Sequence, residues 1–457
     1  MNAPLPLKVA RELPGQAYDK AARAGNEVAG LLARRLAAET HGEVLFSPAD
    51  RGRYATDASI YQVMPVGVFV PHSSDDVKLA LDICRDLKVP IVPRGAGTSQ
   101  CGQTVGAGLV IDHSKHVRKI LHFDPATRTA EVEPGMVLDH LNLALKKLGL
   151  WYPVDVSTSA QATLGGMAGN NSCGSRSIAY GNMVHNVVGA QAWTSDGELH
   201  RFGRFADSTG TAREIGNRIK DLAAALAPEI EQQWPKVLRR VGGYNLDIFD
   251  NRSERPYATD GSVNLAQLLV GSEGTLALTR SLTLQLSELP KAKVLGVVNF
   301  PTFYQAMDSA QHIVKLGADA TLTAVELVDR TMIDLSLQNP AFAPVIRGAV
   351  IGEPEAILLV EFSGADKAGL LPKLDQLVEL MGDLGLPGSV VRMTDDAPQK
   401  NLWEVRKAGL NIMMSLKGDG KPVSFIEDCA VPLEHLAEYT DALTQVFRRH
   451  GTRGTWY

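Results

Sequence analysis

Two glycine-rich stretches constrain this chain more than anything else in it. The first, VPRGAGTSQCGQ, runs from Val92 to Gln103, and the second, TLGGMAGNNSCGSRS, from Thr163 to Ser177. Glycine lets backbone approach a ligand closely, and backbone N–H groups flanked by Ser and Thr hydroxyls form a nest for anions. One such stretch is compatible with a tight turn and no ligand. Two of them, rich in Ser, Thr and Asn and free of acidic residues, read as phosphate cradles. Gly95, Gly97, Thr98 and Ser99 line one side, and Thr163, Gly165, Gly166, Asn170, Gly174 and Ser175 the other.

The nucleotide is not held by either of the commonest loops. A G-x-G-x-x-G fingerprint would need glycine at 95, 97 and 100 and a helix after it, but position 100 is Gln100 and the chain continues into the apolar run GAGLVID, Gly106 to Asp112. A Gly-Lys-Ser/Thr phosphate loop is absent from both stretches.

Around the cradles the pattern is mixed. Asp19 to Thr40 reads as an amphipathic helix, VGVFVP as a strand, and Asp75 to Leu87 as a helix capped by Ser73 or Ser74. Arg118 to Gly135 reads as two strands around an Asp-Pro turn, Met136 to Leu148 as a helix, and Asn186 to His200 as a hairpin with an Asp-Gly turn. Ala212 to Leu226 is expected as a helix and Gly242 to Pro256 as a loop. Gln267 to Leu286 reads as a glycine-rich turn between two strand-like runs.

After Leu289-Pro290-Lys291 the order becomes strand, helix, strand, twice over: AKVLGVVNF, Thr302 to Lys315 and TLTAVELVD, then AILLVEFSG, Asp366 to Leu384 and SVVRMTD. This predicts a ferredoxin-like sheet with helices on one face. A last helix is expected over Leu433 to His450. The fold class is α+β, with an N-terminal helical segment over 1–60, a ligand-binding domain over 61–288 and a third unit over 289–457.

Charge and cysteine usage narrow the partners. Lys and Arg number 46 against 51 Asp and Glu, and no basic block occurs, which argues against nucleic acid. No apolar run reaches eighteen residues, so the chain reads as cytoplasmic; peripheral attachment to the inner membrane would leave no such mark. Cys84, Cys101, Cys173 and Cys429 contain no C-x-x-C pair and read as free thiols.

PRGAGTS (Pro93 to Ser99), YPVDVSTSAQATLGGMAGNNSCGSRSIAYGN (Tyr152 to Asn182) and GSEGTLA (Gly271 to Ala277) together resemble the FAD-linked oxidases of the vanillyl-alcohol oxidase / p-cresol methylhydroxylase superfamily. Within it the likeness is greatest to D-2-hydroxyglutarate, D-lactate and glycolate dehydrogenases. The resemblance implies FAD as cofactor and a fold in which a two-part FAD-binding domain of the p-cresol methylhydroxylase type carries a cap. It adds Pro93, Arg94, Ala96, Gln103, Pro153, Asp155, Ser157, Tyr180, Gly181, Glu273, Gly274 and Leu276 to the cofactor-binding set. Members that tether the flavin through the first cradle carry a histidine where this chain has Thr98, so the expected FAD is non-covalent.

The same resemblance implies a hydride-transferring dehydrogenase for a small 2-hydroxy acid, with D-2-hydroxyglutarate first and D-lactate or glycolate next. Such chemistry needs a cation for the substrate carboxylate. In NLWEVRKAGLNIM the W-x-x-R match implies Arg406, whose planar fork suits a carboxylate. Lys421 is a second candidate cation, although Ile426 departs from the family pattern ahead of Glu427 and Asp428, which read as supports of the site. His113 and His116 make an H-x-x-H pair, but Lys115 and Arg118 beside them argue against a cation there, and no metal ligands are assigned.

Family members continue beyond a segment like the closing GTRGTWY with a His-bearing strand and loop, and one bacterial subgroup with a cysteine-rich 4Fe-4S domain. The resemblance therefore implies the front part of a longer protein, with any 4Fe-4S cluster or divalent metal supplied beyond Tyr457. The electron acceptor would be such an Fe-S domain, an electron-transfer flavoprotein or a quinone, and a homo-oligomer is left open. A second reading is a flavin-binding fragment or electron-transfer subunit without turnover of its own.

Overall fold

The computed structural model describes residues 15–237, 239–249, 263–419, 421–423 and 429–456, with side chains from residue 27 onward. Four short strands, β1 (Glu43–Leu45), β2 (Gly67–Val70), β3 (Ile91–Arg94) and β4 (Leu109–Asp112), form a sheet in the order β1-β2-β4-β3. β2, β4 and β3 run parallel and β1 is antiparallel at the edge. β2 and β4 are buried along their whole length; their sequences are apolar except for Asp112, which accepts from the Tyr54 and Ser114 hydroxyls. The helix Ser74–Leu87 joins β2 to β3. Ser73 caps it by accepting from Asp76 N, and Lys88 closes it in the left-handed conformation.

Strands β5 (Ile120–Asp124), β6 (Thr129–Val132), β7 (Leu150–Trp151), β8 (Val187–Trp193), β9 (Leu199–Phe202), β10 (Leu278–Gln285) and β11 (Ser287–Glu288) build a five-stranded sheet, β5-β6-β10-β8-β9, and a two-stranded one, β7-β11, all antiparallel. The first hairpin turns where Asp124 accepts from Ala126 N, the second where Gly197 takes φ 85°. The core of this unit gathers Leu138, Leu141, Tyr152, Leu164, Met183, Phe202 and Leu284. One expectation fails here. Ala266–Leu269 is a single helical turn, so only β10 remains of the two strands read over Gln267 to Leu286. A four-residue apolar run carries no period that separates helix from strand.

The last unit is a sheet of β12 (Ala292–Phe300), β13 (Leu322–Asp329), β14 (Ala356–Gly364) and β15 (Val390–Met393) in the order β13-β14-β12-β15, again antiparallel. Its helices do not lie on one face. Val294, Val298, Phe300, Val360 and Phe362 pack with residues of Phe303–Ile313 and Lys367–Asp383. The alternate row, Leu295, Val297, Ile357 and Leu359, packs with Met332, Ile333, Ile346, Leu402 and Trp403. The second layer comes from helices Arg330–Gln338, Ala343–Arg347 and Asp396–Lys407, so β12 and β14 are apolar on both sides. Among the described residues no helix is long and apolar enough to cross a membrane.

Candidate active site

The first cradle leaves the end of β3, and the other two family blocks close around it. A side chain at Gly95 would collide with Thr163 Oγ1, so the backbone of the first cradle meets the Thr163 side chain of the second there. Thr163 immediately precedes the helix Leu164–Asn170, which buries Leu164, Met167 and Ala168 in the core and is thereby fixed. The third block joins its far end. Gly271 N donates to Ala168 O (2.9 Å), Glu273 N to Gly169 O (3.0 Å), and Asn170 Nδ2 to Glu273 Oε1 (3.2 Å). Gly97 sits at φ 69°, a conformation that disfavours a side chain, and its carbonyl accepts from Ala58 N.

Gly97 and Thr98 face a cavity of about 420 Å³ that also involves Arg53, Asp57, Thr158 and Leu410. Its acid is already engaged, since Asp57 accepts from Ser59 N and Thr104 Oγ1. The remaining donors are the Arg53 guanidinium, which also pairs with Asp50, the hydroxyls of Thr56, Thr98 and Thr158, and glycine backbone. That set fits an anionic cofactor such as the diphosphate of FAD. Leu410, on the helix Gly409–Met414 of the last unit, brings the cap to the cradle.

Not every expected cofactor residue offers its side chain. Arg94 is buried, and its guanidinium is taken up by the carbonyl oxygens of Thr56 (2.9 Å) and Thr104 (3.3 Å), so it braces the loop. Ser99 Oγ bonds Gln103 within the cradle. Asp155 is engaged by Arg176, Tyr180 lies edge-on to Trp151, and Gly181 N closes its helix on Ser177 O. Leu276 is exposed. Pro153, Ala96, Gly166 and Gly274 belong to the same three converging segments.

A second cavity of about 320 Å³ lies between the cradle unit and the cap. Asp155, Ser157, Ser175 and Arg176 line it from one side, and Lys293, Glu361, Trp403 and Arg406 from the other. Arg176 is its anchor. Its Nε and Nη2 donate to the two oxygens of Glu361 (2.8 and 2.7 Å), Nη1 donates to Asp155 Oδ2 (2.5 Å), and its guanidinium lies 4.9 Å from the Trp403 ring centre. Thr323 Oγ1 also donates to Glu361 (2.9 Å), and Lys293 Nζ stands 3.7 Å from it.

Electrostatics follow from burial. Desolvation works to raise the Glu361 pKa, yet the hydrogen bonds and charge of Arg176, with Lys293, hold it below the usual carboxylate range. Asp155 goes the other way, pushed up by burial against the pull of Arg176. Burial lowers the Lys293 ammonium against the pull of Glu361.

Of the two expected catalytic cations, the structure brings only Arg406 to this cavity. Its Nη2 donates to Glu326 Oε2 on β13 at 2.7 Å, and burial raises the pKa of Glu326. Lys421 lines neither cavity; its ammonium donates to the carbonyl oxygens of Met414 and Leu416, at and just past the end of the preceding helix Gly409–Met414. Ile426, Glu427 and Asp428 lie outside the described residues. His113 is buried, with Nε2 lacking a hydrogen-bond partner, and burial lowers its pKa; it does not join the exposed His116.

Sequence reasoning missed Arg176, Glu361, Lys293 and Glu326. One signal was available, because a carboxylate within the apolar strand AILLVEFSG requires a buried partner. Nothing in the sequence said that the partner lies 185 positions earlier.

Comparison with known proteins agrees with this geometry. Residues 65–203 match the family described as FAD binding domain, and residues 289–457 match the C-terminal domain of FAD linked oxidases. The chain is 31% identical over 431 residues to the D-2-hydroxyglutarate dehydrogenase of Pantoea ananatis, covering 90% of this chain and 41% of that protein. It is 27% identical to the glycolate oxidase subunit GlcD of Bacillus subtilis, covering 90% of this chain and 75% of that protein. The chain thus spans less than half the length of the D-2-hydroxyglutarate dehydrogenases it matches. Among solved structures, an alkyldihydroxyacetonephosphate synthase superposes with a TM-score of 0.61 at 16% identity, over 84% of this chain and 64% of that one, which shows a shared fold. The cradles thus lie in a segment that matches an FAD binding domain, and the unit that closes over them matches the C-terminal domain of FAD linked oxidases.

Proposed function

We propose that the chain oxidises a D-2-hydroxy acid to the 2-oxo acid, with D-2-hydroxyglutarate as first substrate and D-lactate or glycolate next. The observation that carries this reading is the cavity beside the second cradle, where Arg406, Arg176 and Lys293 come together. When bound along the cradles, FAD supplies the hydride acceptor. Gly95, Gly97, Thr98, Ser99 and the helix start at Thr163 to Gly166 hold its diphosphate, without a covalent bond. Arg406, oriented by Glu326, clamps the substrate carboxylate through its planar fork. Lys421 could act as a second cation only after leaving the carbonyls that hold it.

A dicarboxylate fits the wall better than a monocarboxylate. Besides Arg406 and Arg176, the lining includes Lys291, Lys293, Lys400 and Lys407, six cations against the four acids Asp155, Glu361, Asp396 and Glu404. Lys293, on the same wall as Arg406 and 3.7 Å from Glu361, offers a cation for a second carboxylate. The names of relatives, D-2-hydroxyglutarate dehydrogenase in Escherichia coli and D-lactate dehydrogenase in Arabidopsis thaliana, support the same substrate class.

In this reading residues 61–288 form the FAD-binding domain, to whose first sheet β1 adds a strand from the N-terminal segment, and 289–457 the cap. The strand order of the cap, with its two strand-helix-strand halves, supports a ferredoxin-like sheet carrying an extra helical layer. Electrons leave to an Fe-S domain, an electron-transfer flavoprotein or a quinone, in the cytoplasm or at the inner membrane. The test is anaerobic mixing of the FAD-loaded chain with D- and L-2-hydroxyglutarate, D-lactate and glycolate. Flavin bleaching by a D-2-hydroxy acid and not by its L-enantiomer is expected; retained FAD that none of these acids bleaches would sink the proposal.

A further inference from the structure

The H-x-x-H pair of the sequence separates in the fold, and His116 finds different company. Glu43 opens β1, His72 lies just beyond the end of β2, and His116 lies in the loop after β4. β1 and β4 flank β2 in the sheet, and antiparallel pairing sets Glu43 opposite Val70. The topology therefore brings all three residues to the edge where β2 and β4 end. One ligand atom from each lies within 4.8 Å of the others. The two imidazole rings meet edge to face with centres 4.5 Å apart, and His116 Nε2 is 3.5 Å from Glu43 Oε1.

Two imidazoles and a carboxylate are ligands of the zinc class. In a tetrahedral shell with bonds of about 2.0–2.1 Å, ligand atoms stand roughly 3.3 Å apart. The Glu43 to His116 separation already matches, and closing the rest requires rotation of His72 and His116, both of which are exposed. Asp76 fixes the approach of His72, accepting from its backbone N–H at 3.0 Å and from that of His41 at 2.9 Å.

The carboxylate already receives a cation. Lys115 Nζ lies 3.2 Å from Glu43 Oε2, and this hydrogen bond, with His116, holds the Glu43 pKa below its usual value against modest desolvation. Lys115 is itself exposed and can swing out when a stronger cation arrives.

We propose that Glu43, His72 and His116 form a binding site for a divalent transition metal of the zinc class, with water as the fourth ligand. The site lies on the β1 side of the sheet, while the nucleotide cradle leaves β3 at the other side. A bound ion would staple the first strand to the loops that follow β2 and β4.

The experiment is titration of the chelator-stripped, FAD-loaded chain with Zn²⁺ by calorimetry, and with Co²⁺ for its tetrahedral absorption bands. One ion per chain is expected, with Zn²⁺ raising the thermal midpoint by a few degrees. His72→Ala and His116→Ala should each weaken binding by at least about tenfold while melting like the unsubstituted chain in chelator. Lys115→Met should tighten it, because the competing ammonium is gone. Binding of equal strength in both histidine variants, or no Zn²⁺ binding by the unsubstituted chain and Lys115→Met alike, would overturn the site.

Discussion

Arg176, in the loop that closes the second cradle, grips both oxygens of Glu361 on a central strand of the cap sheet, at 2.8 and 2.7 Å. Glu361 is 1% exposed and the Arg176 side chain 12% exposed, so the contact that joins the cofactor unit to the cap is a nearly dry ion pair.

Removing Arg176 takes the two-oxygen contact from buried Glu361, leaving it Thr323 and the more distant Lys293, and takes from Asp155 its cation. Arg176→Met should therefore destabilise the chain by about 3–5 kcal/mol, and Arg176→Met with Glu361→Leu by less than either single change. Urea unfolding of the three variants decides it; a double variant with the sum of the single losses would contradict the pairing.

Acid should act on the same contact. Glu361 titrates below its usual range in the folded chain and near 4.3 in the unfolded one. As pH falls the unfolded chain takes up the proton first. The stabilisation is thus complete above about pH 5 and is lost as pH drops through the folded value. Urea midpoints measured from neutral pH downward should fall more steeply for the unsubstituted chain than for the double variant.

Gly97 holds a left-handed backbone at the cavity proposed for the anionic cofactor. Gly97→Glu adds both strain and a carboxylate to the cradle and should abolish flavin retention. Gly95→Val should do so by pushing Thr163 away. The unsubstituted chain should release FAD, not FMN, on acid denaturation; chromatography of the released flavin and the bound-flavin ratio of the variants check both points.

Arg406→Met should raise the KM for D-2-hydroxyglutarate and lower kcat/KM by about 10- to 100-fold, the worth of hydrogen bonds to a charged group. Arg406→Lys should recover only part of the loss, since a point charge cannot make the planar two-oxygen contact. Equal KM values across the three proteins would remove Arg406 from the carboxylate site.

The cradles were legible because glycine and hydroxyl residues at fixed spacing have a local meaning, and the strand and helix order of the cap because its periods are clean. The two-sided burial of that sheet was harder to see, since β12 and β14 carry unbroken apolar runs whose partners lie elsewhere in the chain. The Arg176 to Glu361 grip, the Arg406 to Glu326 pair and the meeting of His72 with His116 are products of topology. No local pattern encodes residues that meet across 185, 80 or 44 positions, however plain each one is alone.

Ser157 and Thr158 are neighbours in the chain, yet the first lines the cavity of Arg406 and the second the cavity at Gly97. The two chambers therefore share a party wall one backbone thick. A guest in either room that leans on this wall changes the shape of the other, and by reciprocity each must alter the other's affinity by the same factor.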